Sequence, residues 1–253
     1  MCESTQRRWR AAVGVFAAAT VAALAACGAD RVGAAEGRRY VEEVYAARAA
    51  GASFGPGWYR TLDELVPNVV YERENGQRSK GATHVVVGRI VDVEKGKGFR
   101  IEGDDAPDGI TTDFDDPRAR WWTVHATVTV ERGLASEAPR QLRAMFPSGG
   151  PKDFARLSAG LPALGRVVLF MRRDDPLTAY DPDLYWVMEE DGLLVATVGP
   201  DGRLDLPLMP DERAAELLRG VRRFSDLESK SRNPRTIRMT GSDPNDQRRT
   251  DGK

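Results

Sequence analysis

The sequence predicts a mainly β protein organised as a small antiparallel barrel of five to six strands, with short flanking α-helices and disordered termini. Three observations carry this expectation. Trp121 to Glu131 alternates without a break, placing Trp122, Val124, Ala126, Val128 and Val130 on one side and Thr123, His125, Thr127, Thr129 and Glu131 on the other. Further short apolar runs flank it, separated by Gly, Pro and Asp turn signals. Helical periodicity is confined to the two ends of the body, too little to supply the crossovers of a parallel sheet. Closing the sheet on itself is then the natural way to remove its edges.

The elements follow in order. Arg7, Arg8 and Arg10 precede an uncharged stretch from Ala11 to Ala23, the pattern of a signal peptide, expected over residues 1–26. Leu24-Ala25-Ala26-Cys27-Gly28 resembles the bacterial lipobox at all four defining positions. Small residues there let a peptidase draw in an extended backbone, and the Cys27 thiol is the group that accepts diacylglycerol. Cys27 is the expected lipidation site. The competing reading is an uncleaved anchor helix, because Ala11 to Gly28 is about the minimum length for a ~30 Å hydrocarbon core. Two or more acyl chains hold a protein stably, each buried methylene contributing ~0.8 kcal/mol. The expected location is therefore the extracytoplasmic face of the cell membrane, lipid-anchored. Residues 27–37, rich in Gly and Ala, read as a flexible tether. Cys2 and Cys27 are the only cysteines, so the mature chain has no disulfide and a cysteine-stapled scaffold is excluded.

Residues 38–80 read as a helical N-terminal segment. Tyr40, Val41, Val44, Tyr45 and Ala47 recur at helical spacing between Arg38 and Ala50, and Thr61 and Glu64 have capping-box spacing at the start of a second short helix ended by Pro67. The barrel is expected over residues 81–208. Its first strand begins near Thr83, with Val85, Val87, Val91 and Val93 on one face and Gly88 marking a bend or close approach. Strands follow at 121–131, 141–146, 166–172, 184–189 and 193–198, the last two joined by an Asp191-Gly192 hairpin turn, with an edge at 204–208. Residues 209–224 carry Pro210, Asp211 and Glu212 before Leu217, Leu218, Val221 and Phe224, a helix pattern. Residues 225–253 are polar and aperiodic, and read as a disordered tail.

The phrases TLDELV from Thr61, HVVVGRIVDVE from His84, WTVHATVTVERGL from Trp122, GRVVLFM from Gly165 and LYWVMEEDGLLVATVGPDGRL from Leu184 resemble a group of uncharacterised secreted actinobacterial lipoproteins. Their barrel is similar to the OB-like netrin and metalloproteinase-inhibitor fold. The resemblance spans Thr61 to Leu208 and implies an OB-like barrel. Inhibitors of that fold act through a free N-terminal cysteine clamped by disulfides. Here that cysteine is expected to be acylated and has no partner, so this inhibitory mechanism is excluded.

Formal charge is -1 from 37 basic and 38 acidic residues, which offers no field for a nucleic-acid partner. There is no Gly-x-Ser-x-Gly elbow, and Ser148-Gly149-Gly150-Pro151 lacks the residues of a phosphate loop. No cofactor is implied. His84 and His125 read as a strand-end polar residue and a solvated sheet residue. Glu102 to Asp116 holds seven carboxylates, so Asp104, Asp105, Asp108, Asp113 and Asp115 are candidate calcium ligands, against the alternative of a solvated loop. The same loop, meeting Glu131 or His125, would be the acid and base of an envelope hydrolase. In the pairs Trp121-Trp122 and Tyr185-Trp186 one ring faces the core and the other faces out, which makes Trp121 and Tyr185 candidates for a platform binding sugar or peptide. The leading expectation is a non-catalytic binding or scaffolding lipoprotein with an envelope protein or glycan as partner.

Overall fold

The computed structural model describes residues 33–45, 59–100, 110–173, 180–189 and 192–239. Strand accounts for 42% and helix for 23% of the structure, so the chain is mainly β, with one large sheet and a few helices. The signal segment, Cys27, Asp104, Asp105, Asp108 and residues 240–253 lie outside the described residues.

The large sheet contains β3 (His84–Arg100), β4 (Ile110–Asp113), β5 (Trp121–Gly133), β6 (Gln141–Ser148), β7 (Arg166–Arg172), β8 (Leu184–Val187), β9 (Val195–Val198) and β10 (Leu204–Asp205), in the order β10-β9-β7-β8-β6-β5-β3-β4. β7 also pairs with β3, His84 opposite Met171 through Arg89 opposite Arg166. The pairing is uneven: β5 and β6 align continuously from Trp122/Ser148 to Thr129/Gln141, whereas β7 meets β8 only at Met171/Val187 and Arg172/Trp186. Two sequence expectations are corrected here. The sheet is not purely antiparallel, because β6 and β8 run parallel, joined by a crossover through α2 (Phe154–Ala163) and β7. The strands at 184–189 and 193–198 are not hairpin partners beyond the single bridge Glu189/Leu193, since β9 pairs along β7 instead.

β3 shows how a strand serves two interiors. Val86, Ile90 and Val93 face one apolar cluster while Val85 and Val87 face another, and Val91 is the exposed residue, 52% accessible. The expected single face fails because the register shift between Ile90 and Asp92 makes Val91 an extra residue in β3 and inverts the alternation beyond it, whereas the shift at Val87/Gly88 places its extra residue, Glu131, on β5. Gly88 is a point of close approach, as expected: a side chain there would run into the Thr129 carbonyl.

The first cluster lies between the inward faces of β3, β5, β6, β7 and β8 and is covered by two helices. Residues 33–45 form α1, whose Val41 and Tyr45 join Leu157 and Leu161 of α2 in that core. Tyr45 donates to the Pro147 carbonyl at 2.7 Å, and Gly37 meets Gly160 so closely that neither tolerates a side chain. Residues 33–37, expected as tether, are thus helical, with Gly37 packed against the fold.

Further corrections concern the ends. The segment 38–80 contains β1 (Val69–Arg73) and β2 (Arg78–Ser79), and the expected capped helix is a single 3₁₀ turn, Leu62–Glu64, with the Glu64 carboxylate accepting from the Arg60 amide. The helix expected over 209–224 is α3 (Asp211–Leu217), ended before Gly220, which takes a positive φ of 77°. Of the tail expected to be disordered over 225–253, the described residues to 239 fold into α4 (Phe224–Lys230) and β11 (Arg235–Met239), and β11 lies parallel to β1 in a three-stranded sheet. What holds it is a buried charge. Asp63, 2% exposed, pairs with Arg235 at 2.6 Å and Lys230 at 3.4 Å. Burial pushes its carboxyl up, but hydrogen bonds from Thr61 and Arg235 and the two cations leave it below the usual carboxylate range.

Candidate functional site

The strands that fill the core with every second residue present the others outward. On β5 these are Trp121, Thr123 and His125. On β6 they are Arg143 and Met145, and on β8 Leu184 and Trp186. Met145, Leu184 and Trp186 form a third apolar cluster with Trp121 and Tyr180 packed against it. The outward face of β5, β6 and β8 is therefore a surface of its own.

His125, expected to be solvated, is 5% exposed. Two neighbours cover it. Tyr180 stacks on it with centroids 6.3 Å apart, and the backbone at Gly96, where β3 breaks register, passes so near that a methyl group there would stand 2.8 Å from Nε2. Its protonation follows from its partners. Arg143 Nη2 donates to Nδ1 at 3.1 Å, so the proton sits on Nε2, which donates to the Tyr180 hydroxyl at 3.0 Å. That hydroxyl in turn donates to Met145 Sδ at 3.3 Å. Burial, then the Arg143 charge, lower the imidazole to about 4 against the opposing pull of Glu94 and Asp181, while burial pushes the Tyr180 phenol up to about 12. Arg143 also binds Asp181 at 2.7 Å and Glu94 at 2.8 Å. A neutral imidazole with both nitrogens committed is a positioning group. It holds Arg143 and Tyr180 at the surface and is not poised as a base or metal ligand.

Beside this network lies an aromatic group. Trp121 is 4.6 Å from Phe99 and 5.8 Å from Trp186 between ring centroids, and Tyr180 is 6.2 Å from Phe99. Trp121 is half-buried, with its expected outward position. Tyr185 is corrected: it is buried in the inner core, edge-on to His84 at 4.9 Å, while its neighbour Trp186 lies on the opposite side of the strand and is buried there in the third cluster. The pair alternates as expected, but neither ring is exposed.

The described part of the acidic loop does not converge on this face. Asp115 pairs with Lys95 at 2.7 Å and Asp113 lies 3.9 Å from Lys97, while Glu131 binds Arg166 at 2.8 Å. Asp116 is held well below the usual range by hydrogen bonds from the Arg118 side chain, Thr112 and the Arg118 amide. Among the described residues no three His, Cys, Asp or Glu side chains are grouped to hold a metal ion. Asp113 and Asp115 thus do not meet Glu131 or His125, as a hydrolase would need, and the remaining candidates lie outside the described residues.

Sequence reasoning did not find Glu94, Arg143 and Asp181, and it singled out Trp186 and Tyr180 only as aromatic neighbours of Tyr185. Arg143 had a signal, since it sits out of phase with Leu142, Ala144 and Phe146; the partners come from distant segments that only the fold joins. Set beside family models, curated proteins and solved structures, the chain matches none.

Proposed function

We propose that this is a membrane-tethered extracytoplasmic lipoprotein, anchored through Cys27, whose OB-like barrel binds an envelope glycan or protein without catalysis. The barrel reading draws support from the circuit of pairings β3-β5-β6-β8-β7-β3, with its parallel step between β6 and β8 and a helix between β6 and β7. Barrels of that order bind extended ligands on the face of their second and third strands, between the loops after the first and fourth. In this chain that face is β5 and β6.

The observation that carries the binding reading is the grouping of Trp121, Trp186 and Phe99 beside the Arg143 and Glu94 rim on that face. The half-buried Trp121 ring, backed by the buried rings of Phe99 and Trp186 tilted against it, supplies apolar area for a sugar or a peptide side chain, and the charged rim supplies directional hydrogen bonds. Asp113, Asp115 and Glu131, each beside a cation, favour this over the hydrolase alternative.

The test is a titration of the protein with soluble oligosaccharides and peptides released from the envelope, followed by tryptophan fluorescence. Trp121→Ala is expected to weaken binding at least tenfold, as loss of an aromatic anchor does. Unchanged affinity would remove the binding face. The anchor is tested separately, because Cys27→Ala should abolish acyl labelling and release the protein from membranes; a variant that stays membrane-bound means an anchor helix instead.

A further inference from the structure

Away from the aromatic face, a groove runs along β10, α3 and the end of α2 in two adjoining lobes of about 800 and 870 Å³ that share Arg38, Arg203, Leu204, Asp205 and Leu218. Six arginines line it, Arg38, Arg89, Arg166, Arg203, Arg219 and Arg222, against four carboxylates. The carboxylates are mostly occupied: Glu42 accepts from Arg38, Asp201 from the Arg203 amide and Asp205 from the Leu206 amide. The arginines are not. Arg38 and Arg166 have carboxylate partners, but Arg89, Arg203, Arg219 and Arg222 are exposed, and their side chains have no hydrogen bond or ion pair among the described residues.

The position of this groove is set by α1. Arg38 lies five residues into the described helix, a rise of about 8 Å from residue 33. Only five residues separate Cys27 from residue 33, six steps that span at most about 21 Å of extended chain. With Gly37 locked against Gly160, α1 moves with the body, so a lipid on Cys27 would hold Arg38 within about 30 Å of the membrane surface.

We propose that this arginine groove is the face turned to the membrane and that it seats the phosphate headgroups of acidic phospholipids, so that lipid anchor and groove together fix the orientation of the barrel. The proposal rests on the Cys27 anchor. Guanidinium groups suit it because their fork of donors matches phosphate oxygens, and each free cation near an acidic surface strengthens attachment about fivefold at low salt. The aromatic face, on other strands, is left for its ligand.

The experiment uses the acylated full-length product in vesicles of phosphatidylcholine alone and of phosphatidylcholine with 30% phosphatidylglycerol, read by hydrogen exchange. Amides of residues 203–206 and 211–222 should slow severalfold on the acidic vesicles only, and 0.5 M salt should reverse this. The triple variant Arg203→Glu, Arg219→Glu, Arg222→Glu should stay anchored and lose the protection. Equal exchange of the wild type on both vesicles overturns the proposal while the anchor stands. Protection by inorganic phosphate in neutral vesicles overturns it in favour of a soluble-anion site, and absence of acylation overturns both readings.

Discussion

In the large sheet a strand such as β7 is apolar on both sides, with Val167, Leu169 and Met171 in one cluster and Val168 and Phe170 in the other. In the small sheet, β11 reads Arg-Thr-Ile-Arg-Met, with Ile237 and Met239 only partly buried and its first residue committed to Asp63. The first arrangement is stabilised by removing apolar area from water, about 25 cal/mol per Å², spread over many residues. The second depends on a buried carboxylate and two cations, where removing one partner leaves charge uncompensated. The lesson is that the two sheets should fail differently, one globally and the other at a point.

The largest effect should come from Phe146→Ala, because this ring is fully buried where β6 meets the inner cluster. A loss of about 3–5 kcal/mol is expected, with every described segment losing exchange protection together. Arg235→Ala should cost about 3 kcal/mol, the low end for a broken buried pair because Lys230 still faces Asp63. Its signature is regional: exchange should rise in β1, α4 and β11 while β5 and β6 stay protected. Equal loss across β5 and β11 in the arginine variant would make the two sheets one cooperative unit and erase the contrast. Asp63 contributes at neutral pH, since a carboxyl held below its ordinary value loses its stabilising effect only as pH falls below about 4.

The same contrast explains what the sequence revealed. Hydrophobic periodicity located β3 and β5 through β10, because each contributes alternate residues to an apolar interior that single-sequence patterns report directly. It missed β11 and α4, where α4 gives only Phe224 and Leu227 to the second cluster and the rest of the hold is charge at long range: nothing near Arg235 in sequence announces Asp63, 172 positions away. It missed the face of Val91 because bulges invert alternation without changing composition. The site divides likewise. Trp121 was legible from its pairing with Trp122, but the partners of His125 were not, because Arg143, Tyr180 and Glu94 converge only after three strands and a loop are assembled. Tyr185 was placed outward because two adjacent aromatics alternate without stating which one faces in.

A second, pH-dependent effect tests whether the outward network behaves as buried structure. His125 falls to about 4 in the fold against an ordinary value near 6.5. A base with a depressed value binds fewer protons folded than unfolded between those limits. Stability is then complete above pH 6.5 and falls as pH drops toward 4, by up to about 3 kcal/mol. Chemical denaturation at pH 7, 5.5 and 4.5 measures it. His125→Gln should be less stable at pH 7 yet lose less on acidification, and an unchanged slope would assign the loss to other groups.

The smallest effect is expected at the acidic loop, where polar contacts are solvent-exposed. Lys95 meets Asp115 at 2.7 Å with the side chains 45% and 62% exposed, so Lys95→Ala should change stability by less than about 1 kcal/mol, and by less still in 0.5 M salt. Lys95 also lies 5.6 Å from the Phe114 ring and 5.9 Å from Phe154, so part of the change will survive salt as lost cation–π contact. The pair also bears on calcium. A lysine ammonium beside Asp115 occupies the position a divalent ion would take, and Asp113 has Lys97 nearby. Bound calcium would make the melting temperature fall on adding chelator, and Lys95→Ala would then raise calcium affinity by removing a competing cation. The expected result is a melting temperature unmoved by chelator in both proteins; a fall of several degrees would restore the loop as a metal site and make this part of the sheet, like the Asp63 corner, dependent on charge.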